Sequence, residues 1–132
     1  MNEILQNKEA LIGKSKLVIN DKVIEFPEPI LNIEVFEEHV VPKIVVLFLS
    51  DVNTSKLKNN IHCYNMNGDC VWTIKDLILE YVSRNSQLTR SGDWKFFAMK
   101  KLDCHLFYTV DISCYYYVHV GRNMIIYREG HW

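Results

Sequence analysis

The stretch IHCYNMNGDCVWTI, residues 61–74, constrains the fold more than any other part of the sequence. An Asn-Gly-Asp turn separates two short runs of residues that favour β-strands, residues 61–64 and residues 70–74. Asparagine and glycine supply the positive φ angles that tight hairpin turns need. The stretch therefore predicts an antiparallel β-hairpin with the carboxylate of Asp69 at its tip.

The spacing of this hairpin returns near the end of the sequence. An aromatic strand leads into a glycine turn and then into an alternating apolar return strand in both places. The matching positions are Tyr64, Gly68, Trp72 and Ile74 in the first copy and Tyr117, Gly121, Ile125 and Tyr127 in the second. Repeated hairpins of this kind predict an antiparallel β-meander that resembles part of a β-propeller.

Apolar runs between turn residues predict the other strands. Residues 44–49 are continuously apolar, which is typical of a central strand covered on both faces. Leu31, Ile33 and Val35 alternate with more polar neighbours and predict the buried face of a half-buried strand. The other predicted strands cover residues 17–19, 23–26, 94–99, 106–110, 114–120 and 124–128, and the half-buried strand covers 30–36.

Helix signals are few. Residues 76–82 predict one or two helical turns, with Asp76 as a cap. Residues 3–11 are weakly amphipathic and form either a short helix or an irregular arm. The sequence thus predicts a single domain over residues 1–132 that is mainly β, with α+β as the alternative and at most one or two short helices.

Composition narrows the range of functions. The 15 basic and 16 acidic residues give a net charge of −1, which argues against a nucleic-acid partner because such proteins usually carry a basic excess. The N-terminal residues lack the apolar region of a secretion signal, and the most apolar run is too short to span a membrane. We therefore expect a soluble, cytoplasmic protein without a membrane contact.

The cysteines do not have metal-ligand spacing. The chain has four cysteines but no Cys-x2-Cys pair and no His-x3-His pair, which carry most of the zinc signal. His62 and Cys63 are adjacent on a strand and point to opposite faces. Cys70 shares a strand face with Trp72 and is predicted to lie in the core. We expect buried thiols and no metal or other cofactor.

Catalytic motifs are also absent from the sequence. It contains no Gly-x-Ser-x-Gly elbow, no phosphate-binding loop and no His-Glu-x-x-His pair. Glu37 and Glu38 are neighbouring carboxylates, but a solvated acidic turn explains them. We expect no enzymatic activity, and a cysteine-dependent or metal-dependent enzyme is kept as an alternative that needs a histidine within reach of a partly exposed cysteine.

Aromatic and acidic residues are the better candidates for a function in recognition. Tyr115 and Tyr117 share one face of a predicted strand, and tyrosine is favoured at interfaces. Simple packing within the sheet is the alternative explanation for them. Trp94 lies at a transition from a loop to a strand. Acidic residues at or near turns are candidates for a charge-complementary surface: Glu34, Glu37, Glu38, Asp69, Asp93, Asp103 and Asp111.

The order of these features resembles small bacterial immunity proteins of contact-dependent growth inhibition and related toxin systems. Four segments carry the resemblance: LVINDKVIEFPEPILNIEVFEEHVV, VVLFL, IHCYNMNGDCVWTIKD and CYYYVHVGRNMIIYREG. They reproduce a first hairpin followed by a Phe-Pro step, a middle Tyr-x3-Gly-x3-Trp-x-Ile hairpin and a closing hairpin with a glycine turn. The resemblance spans residues 17–130, and the segment at 77–92 is a longer insertion than the group has.

The resemblance implies a function in toxin neutralisation. Proteins of this group bind a cognate toxin domain, often a nuclease, and cover its active site without catalytic residues of their own. It implies a monomer that forms a heterodimer with the toxin. The alternative is a small non-catalytic β module that binds a peptide or a small ligand through the tyrosine strand.

Overall fold

The computed structural model describes residues 8–37, 42–48, 59–84, 96–111 and 114–130. Glu38, Asp93 and Trp94, with most of the loops predicted at 51–60 and 83–93, lie outside the described residues. The described helices and strands are α1 (Lys8–Leu11), β1 (Lys16–Ile19), β2 (Lys22–Glu25), β3 (Ile30–Phe36), β4 (Lys43–Phe48), β5 (Ile61–Asn65), β6 (Cys70–Thr73), α2 (Ile74–Arg84), β7 (Ala98–Lys101), β8 (Leu106–Val110), β9 (Cys114–His119) and β10 (Met124–Gly130).

The strands form three antiparallel sheets. Strands β1 and β2 form a hairpin, β3-β4-β5-β6 form what we call the first sheet, and β7-β8-β9-β10 form the second sheet. Strands that follow one another in the chain are neighbours throughout both larger sheets. This arrangement confirms the prediction of a mainly β, antiparallel meander with two short helices, and a four-stranded meander is also the unit of a propeller blade.

The first sheet lies between the β1–β2 hairpin and the second sheet, and β4 is its most buried strand. All six residues of β4 are buried. Ile44, Val46 and Phe48 belong to the hydrophobic core shared with the hairpin, whereas Val45 and Leu47 belong to the core shared with the second sheet. The prediction of a central strand covered on both faces is therefore confirmed.

A buried polar cluster joins the two larger sheets. Lys43 is 5% exposed, and its Nζ donates to the carbonyl oxygen of Val120 at 2.9 Å and to Oδ1 of Asn123 at 2.7 Å. The indole Nε1 of Trp72 donates to the same Asn123 oxygen at 3.1 Å. Burying an ammonium group is costly unless it finds such acceptors, so the cluster fixes where the turn between β9 and β10 lies against the first sheet.

The edge strands β3 and β7 are joined through side chains. Asn32 Nδ2 donates to the carbonyl oxygen of Met99 at 3.0 Å, and Lys101 Nζ donates to the carbonyl oxygen of Val35 at 2.9 Å. Glu34 Oε2 accepts a hydrogen bond from the backbone N–H of Lys101 at 2.9 Å. These bonds anchor one edge of the second sheet to one edge of the first.

The tips of two hairpins meet at Gly68. Gly68 has a φ of +87°, and a Cβ at this position would lie 3.1 Å from the carbonyl oxygen of Ile19. Asp69 forms an exposed ion pair with Lys22 at 2.7 Å. Glycine is needed here for two reasons: it adopts the positive φ without strain, and its lack of a Cβ lets the β1–β2 turn approach closely.

Helix α2 begins at Ile74, two residues before the predicted start. Thr73 is its N-cap residue, because Asp76 Oδ2 accepts hydrogen bonds from the backbone N–H of Thr73 at 3.0 Å and from its hydroxyl at 3.1 Å. At the other end, Arg84 donates to the carbonyl oxygen of Ile125 at 2.8 Å. The prediction that Ile74 ends a strand is wrong, and the helix is longer than predicted.

Two bulges overturn predictions about which side chains face the core. Cys70 is exposed rather than buried beside Trp72, because the pairing of β5 with β6 shifts register between Cys63 and Tyr64. A second shift near the start of β3 leaves Leu31 38% exposed, although its alternation predicts a buried side chain. An extra residue in one strand shifts the alternation, so the side chains before it point to the opposite face of the sheet from the one that alternation predicts.

The strand predicted at 94–99 is displaced. Its described counterpart is Ala98–Lys101, and Phe96, which lies before this strand, is buried against the ring of Tyr116 at 5.5 Å between centroids. Neither helix in the described ranges has the length and apolar character to cross a membrane.

Candidate functional site

The metal candidate of the sequence, His62 beside Cys63, is divided between two faces of the first sheet. Cys63 lies in the core shared with the second sheet, and burial raises the pKa of its thiol. His62 lies on the opposite face, where its ring contacts the ring of Phe48 at 5.0 Å between centroids. Across the described residues, no group of three histidine, cysteine or acidic side chains is arranged to hold a metal ion.

The hydrogen bonds of His62 fit a neutral ring that is protonated at Nε2. Its Nε2 lies 2.9 Å from the carbonyl oxygen of Asn59, which only accepts, so Nε2 is the donor. In this neutral tautomer Nδ1 accepts from the Tyr64 hydroxyl, 3.2 Å away. Burial lowers the pKa of His62, and this agrees with a packed, neutral side chain rather than a general base exposed to substrate.

The outer face of the second sheet carries the densest group of tyrosines. Tyr115 and Tyr117 of β9 share this face, as the sequence predicts, while Tyr116 between them is buried. Cross-strand register adds Tyr108 of β8, which pairs with Tyr117, and Tyr127 of β10, which pairs with the same residue. We call the set of Tyr108, Tyr115, Tyr117 and Tyr127 the tyrosine face.

The four rings contact one another across three strands. Tyr117 and Tyr127 have centroids 5.4 Å apart, and Tyr108 and Tyr117 have centroids 6.1 Å apart. Tyr108 and Tyr115 meet edge to face at 5.9 Å. Aromatic pairs at these separations stabilise each other, so the rings hold one another in place while they remain accessible; Tyr127 is 51% exposed.

Charged residues border the tyrosine face on two sides. Glu129 pairs with Tyr115 in the ladder of β9 and β10, and Lys100 pairs with Tyr108 in the ladder of β7 and β8. Desolvation by the neighbouring side chains, and next the carboxylate of Glu129, raise the pKa of the Tyr117 phenol. The phenol is therefore a hydrogen-bond donor at neutral pH, with the carboxylate of Glu129 as an acceptor.

Two histidines lie at one end of the same face. His105 and His119 stack with centroids 5.7 Å apart and planes 8° from parallel. The backbone N–H of Arg122 donates to Nδ1 of His119 at 3.1 Å. Stacked rings extend the aromatic surface beyond the tyrosines and give it further polar atoms at its border.

None of the predicted acidic residues that the structure describes belongs to the tyrosine face. Asp103 and Asp111 occupy successive turns of the second sheet, which lie at opposite ends of β8. Asp103 accepts hydrogen bonds from the backbone N–H groups of His105 and Leu106 within its own turn. Asp111 is fully buried, and its Oδ1 accepts from the backbone N–H of Cys114 at 2.6 Å, so it offers no surface contact.

The remaining described acidic candidates belong to the first sheet. Asp69 is paired with Lys22, and Glu34 is bound to the backbone of Lys101. Glu37 is exposed just after the end of β3. The candidate site therefore rests on aromatic side chains, and the carboxylate of Glu129, which lies beside them, is not among the residues selected from the sequence.

Tyr108, Tyr127 and Glu129 are the members of the site that sequence reasoning missed. Tyr127 appears in the repeated hairpin spacing, but a register shift between Ile125 and Tyr127 decides which face it takes. Tyr108 joins the others only because β8 pairs with β9 with Tyr108 opposite Tyr117. The arrangement offers ring faces, phenol hydroxyls and one carboxylate, which are groups that bind a partner.

Comparison with known proteins places the chain in a family without assigning it an activity. No curated protein and no solved structure matches it significantly. A family model described as a domain of unknown function (DUF7957) matches residues 8–89. The matched region holds the first hairpin, the first sheet and α2, whereas the tyrosine face lies beyond it. Because the match covers more than half of the 132 residues, the chain belongs to the DUF7957 family.

Proposed function

We propose that this protein is a non-catalytic binding protein that neutralises a cognate bacterial toxin domain, and that the tyrosine face is its contact surface. The observation that carries the proposal is the set of four mutually packed tyrosines on the outer face of the second sheet. The partner class follows from the resemblance to immunity proteins. The protein acts in the cytoplasm as a monomer that forms a one-to-one complex with the toxin.

The physical basis is the energetics of tyrosine at interfaces. A tyrosine buries a large ring at a low cost in side-chain entropy, and its hydroxyl keeps a hydrogen bond at the border of the contact. The rings of Tyr108, Tyr115 and Tyr117 are already half-buried against their neighbours, so they lose little further freedom on binding. Preorganised aromatic groups are typical hot spots.

Aromatic contact, rather than a broad acidic patch, is the mode of inhibition that this proposal favours. A nuclease active site is basic because it attracts phosphates, and an acidic inhibitor would match it by charge. In this chain Asp103 and Asp111 hold their own turns, and Asp69 is paired with Lys22. The inhibitor therefore covers the toxin mainly by shape and apolar area.

A titration with the toxin domain encoded beside this gene tests the proposal. We expect a one-to-one complex, inhibition of the toxin at the same stoichiometry, and a loss of affinity of about thirtyfold or more for Tyr117→Ala, as for a hot-spot residue. Val23→Ala, at a 56% exposed position on the first hairpin, is the control and keeps full affinity.

Two outcomes would overturn the proposal in different ways. If no neighbouring gene product binds the protein, toxin neutralisation is wrong. If the toxin binds but Tyr117→Ala and Val23→Ala bind it equally well, the contact surface is wrong. Thermal unfolding of both variants is the folding control: equal midpoints mean that a loss of binding does not come from a loss of folding.

A second candidate function uses the same surface for a peptide. Strand β10 ends the strand order of the second sheet and carries Tyr127. Arg84 already binds the carbonyl oxygen of Ile125, so an extended peptide would pair with the part of β10 that follows Tyr127. Selection from a peptide library in the absence of any toxin distinguishes this function. A peptide that binds at micromolar affinity and competes with the toxin for Tyr127 would support it.

A further inference from the structure

One corner of the tyrosine face combines ring faces with the carboxylate of Glu129. Two rows of residues cross the outer face of the second sheet, according to the register of its strands. One row is Ala98, Val110, Tyr115 and Glu129, and the other is Lys100, Tyr108, Tyr117 and Tyr127. Tyr115, Tyr117, Tyr127 and Glu129 lie on the adjacent strands β9 and β10, and we call these four residues the Glu129 corner.

We infer that the Glu129 corner binds a cationic side chain, specifically an arginine, on the surface of the protein partner. The inference rests on the proposed function and adds the chemistry of the partner to it. Aromatic ring faces carry negative electrostatic potential, and a cation over a tyrosine ring is attracted to it. The carboxylate of Glu129 lies beside the rings and adds a full negative charge.

The geometry of the corner favours arginine over lysine. A guanidinium group is planar, stacks on an aromatic face and donates two parallel hydrogen bonds to a carboxylate. Tyr117 and Tyr127 have ring planes 38° apart, so they provide two differently oriented faces near one carboxylate. An ammonium group is compact and strongly hydrated, and it gains less from stacking.

The charges of the same face define where the cation binds. Lys100 lies in the row of Tyr117 but on β7, at the opposite edge of the sheet from β10. A partner arginine is therefore attracted to the β10 side and repelled from the β7 side. The complementary surface on the partner is one that places a basic residue against β10 and an acidic or neutral residue against Lys100.

A titration with short peptides tests the inference without the toxin. The probes are hexa-arginine, hexa-lysine and hexa-glutamate, and the readout is the NMR chemical shift of the tyrosine ring protons. We expect hexa-arginine to shift the rings of Tyr115, Tyr117 and Tyr127, hexa-lysine to shift them with lower affinity, and hexa-glutamate to leave them unchanged.

Matched substitutions distinguish peptide binding at the Glu129 corner from nonspecific electrostatic attraction between the peptide and the protein. Glu129→Gln should weaken hexa-arginine binding by about two- to fivefold, as for the loss of an exposed ion pair. Glu25→Gln removes the same charge at an exposed strand position of the first hairpin and should leave the affinity unchanged. Tyr127→Phe should bind like the unchanged protein, and Tyr127→Leu should bind more weakly.

The outcomes distinguish this inference from the function on which it rests. If hexa-glutamate shifts the rings as hexa-arginine does, or if Glu129→Gln and Glu25→Gln have equal effects, the inference is overturned. A toxin domain that binds through Tyr117 while hexa-arginine moves no ring overturns the inference and leaves the proposed function standing. If hexa-arginine shifts the rings but no neighbouring gene product forms a complex, the proposed function is overturned and the arginine site remains.

Discussion

Lys43 Nζ donates a 2.7 Å hydrogen bond to Oδ1 of Asn123, and this bond joins the central strand of the first sheet to the last turn of the second. The same oxygen accepts from the indole of Trp72. One amide group thus satisfies a buried cation and a tryptophan at once, and it does so from a residue whose φ is +53°. We expect this arrangement to be important for stability.

Replacing Asn123 with glycine tests the polar cluster. Asn123→Gly keeps the positive φ but removes the acceptor of two hydrogen bonds, and we expect the free energy of unfolding to fall by about 1.5–3 kcal/mol, as for a hydrogen bond to a charged group. Urea unfolding measures the change. Asn20→Gly, at another asparagine with a positive φ of 50°, is the control, and equal losses in the two variants would contradict the assignment.

Gly68→Ala tests the contact between the two hairpin tips. An added methyl group would approach the Ile19 carbonyl oxygen at 3.1 Å, and an L-residue at positive φ costs about 1 kcal/mol or more by itself. Gly13 has a similar φ of +90°, and a Cβ at this position would have no neighbouring atom within 4 Å. We therefore expect Gly68→Ala to lower the unfolding midpoint in urea more than Gly13→Ala does, and the reverse order would refute the contact.

The neutral ring of His62 predicts a loss of stability in mild acid. Burial lowers the pKa of His62 in the folded protein below its ordinary value of 6.5. The unfolded chain therefore binds more protons once the pH falls below about 6.5. The stability that depends on the neutral ring is complete above this pH and is lost as the pH falls toward the folded-state pKa.

His62→Gln removes this dependence, because an amide does not titrate in this range. Urea unfolding between pH 8 and pH 5.5 compares the slopes of the free energy of unfolding for the two proteins. We expect a shallower slope for the variant. Parallel slopes would mean that the protonation of His62 is not linked to unfolding.

The exposure of the thiols predicts an order of alkylation. Cys70 is exposed, whereas Cys63 and Cys114 are buried. Partial desolvation of the Cys70 sulfur raises the pKa of this thiol, which slows its reaction, but the residue is exposed and the reagent can still reach it. Iodoacetamide should therefore label Cys70 in the folded protein and label Cys63 only after unfolding.

Peptide mass spectrometry of folded and unfolded samples measures this order. Cys70→Ser is the control and removes the early product on the peptide that contains residue 70, while the partly exposed Cys104 remains. Labelling of Cys63 in the folded protein at the rate of Cys70 would show that the core around Trp72 opens readily.

Local pattern predicts the strands of this fold well where turn residues mark their ends. The hairpin from residue 61 follows directly from its Asn-Gly turn, and β3 and β8 have the predicted bounds. The predicted burial of Cys70 and Leu31 is wrong because a bulge inserts an extra residue near each of them. The alternation of apolar and polar residues does not reveal where a bulge occurs. The sequence does not locate Ile74 correctly, because an apolar residue fits the end of a strand and the start of a helix equally well.

The sequence predicts the part of the candidate site that lies on one strand, but not the part that depends on the pairing of strands. Tyr115 and Tyr117 share a face by strand periodicity alone. Tyr108 joins them through strand pairing, which no short segment of sequence specifies. Acidic residues at turns suggested a charged surface, but Asp111 is buried and serves its own turn, as aspartates in turns commonly do.

The two-sided burial of β4 has a consequence for how its alignment with neighbouring strands is specified. A strand that is apolar on one face alone is aligned by that pattern, because a slip of one residue would expose it. In β4 both faces are apolar after Lys43, so a slip would exchange one set of aliphatic side chains for another. Lys43 distinguishes the two alignments, since a slip would turn its ammonium group away from Val120 and Asn123 and into the core beneath the first hairpin. The single charge of the strand thereby specifies its alignment, at a cost in desolvation that excludes the alternative.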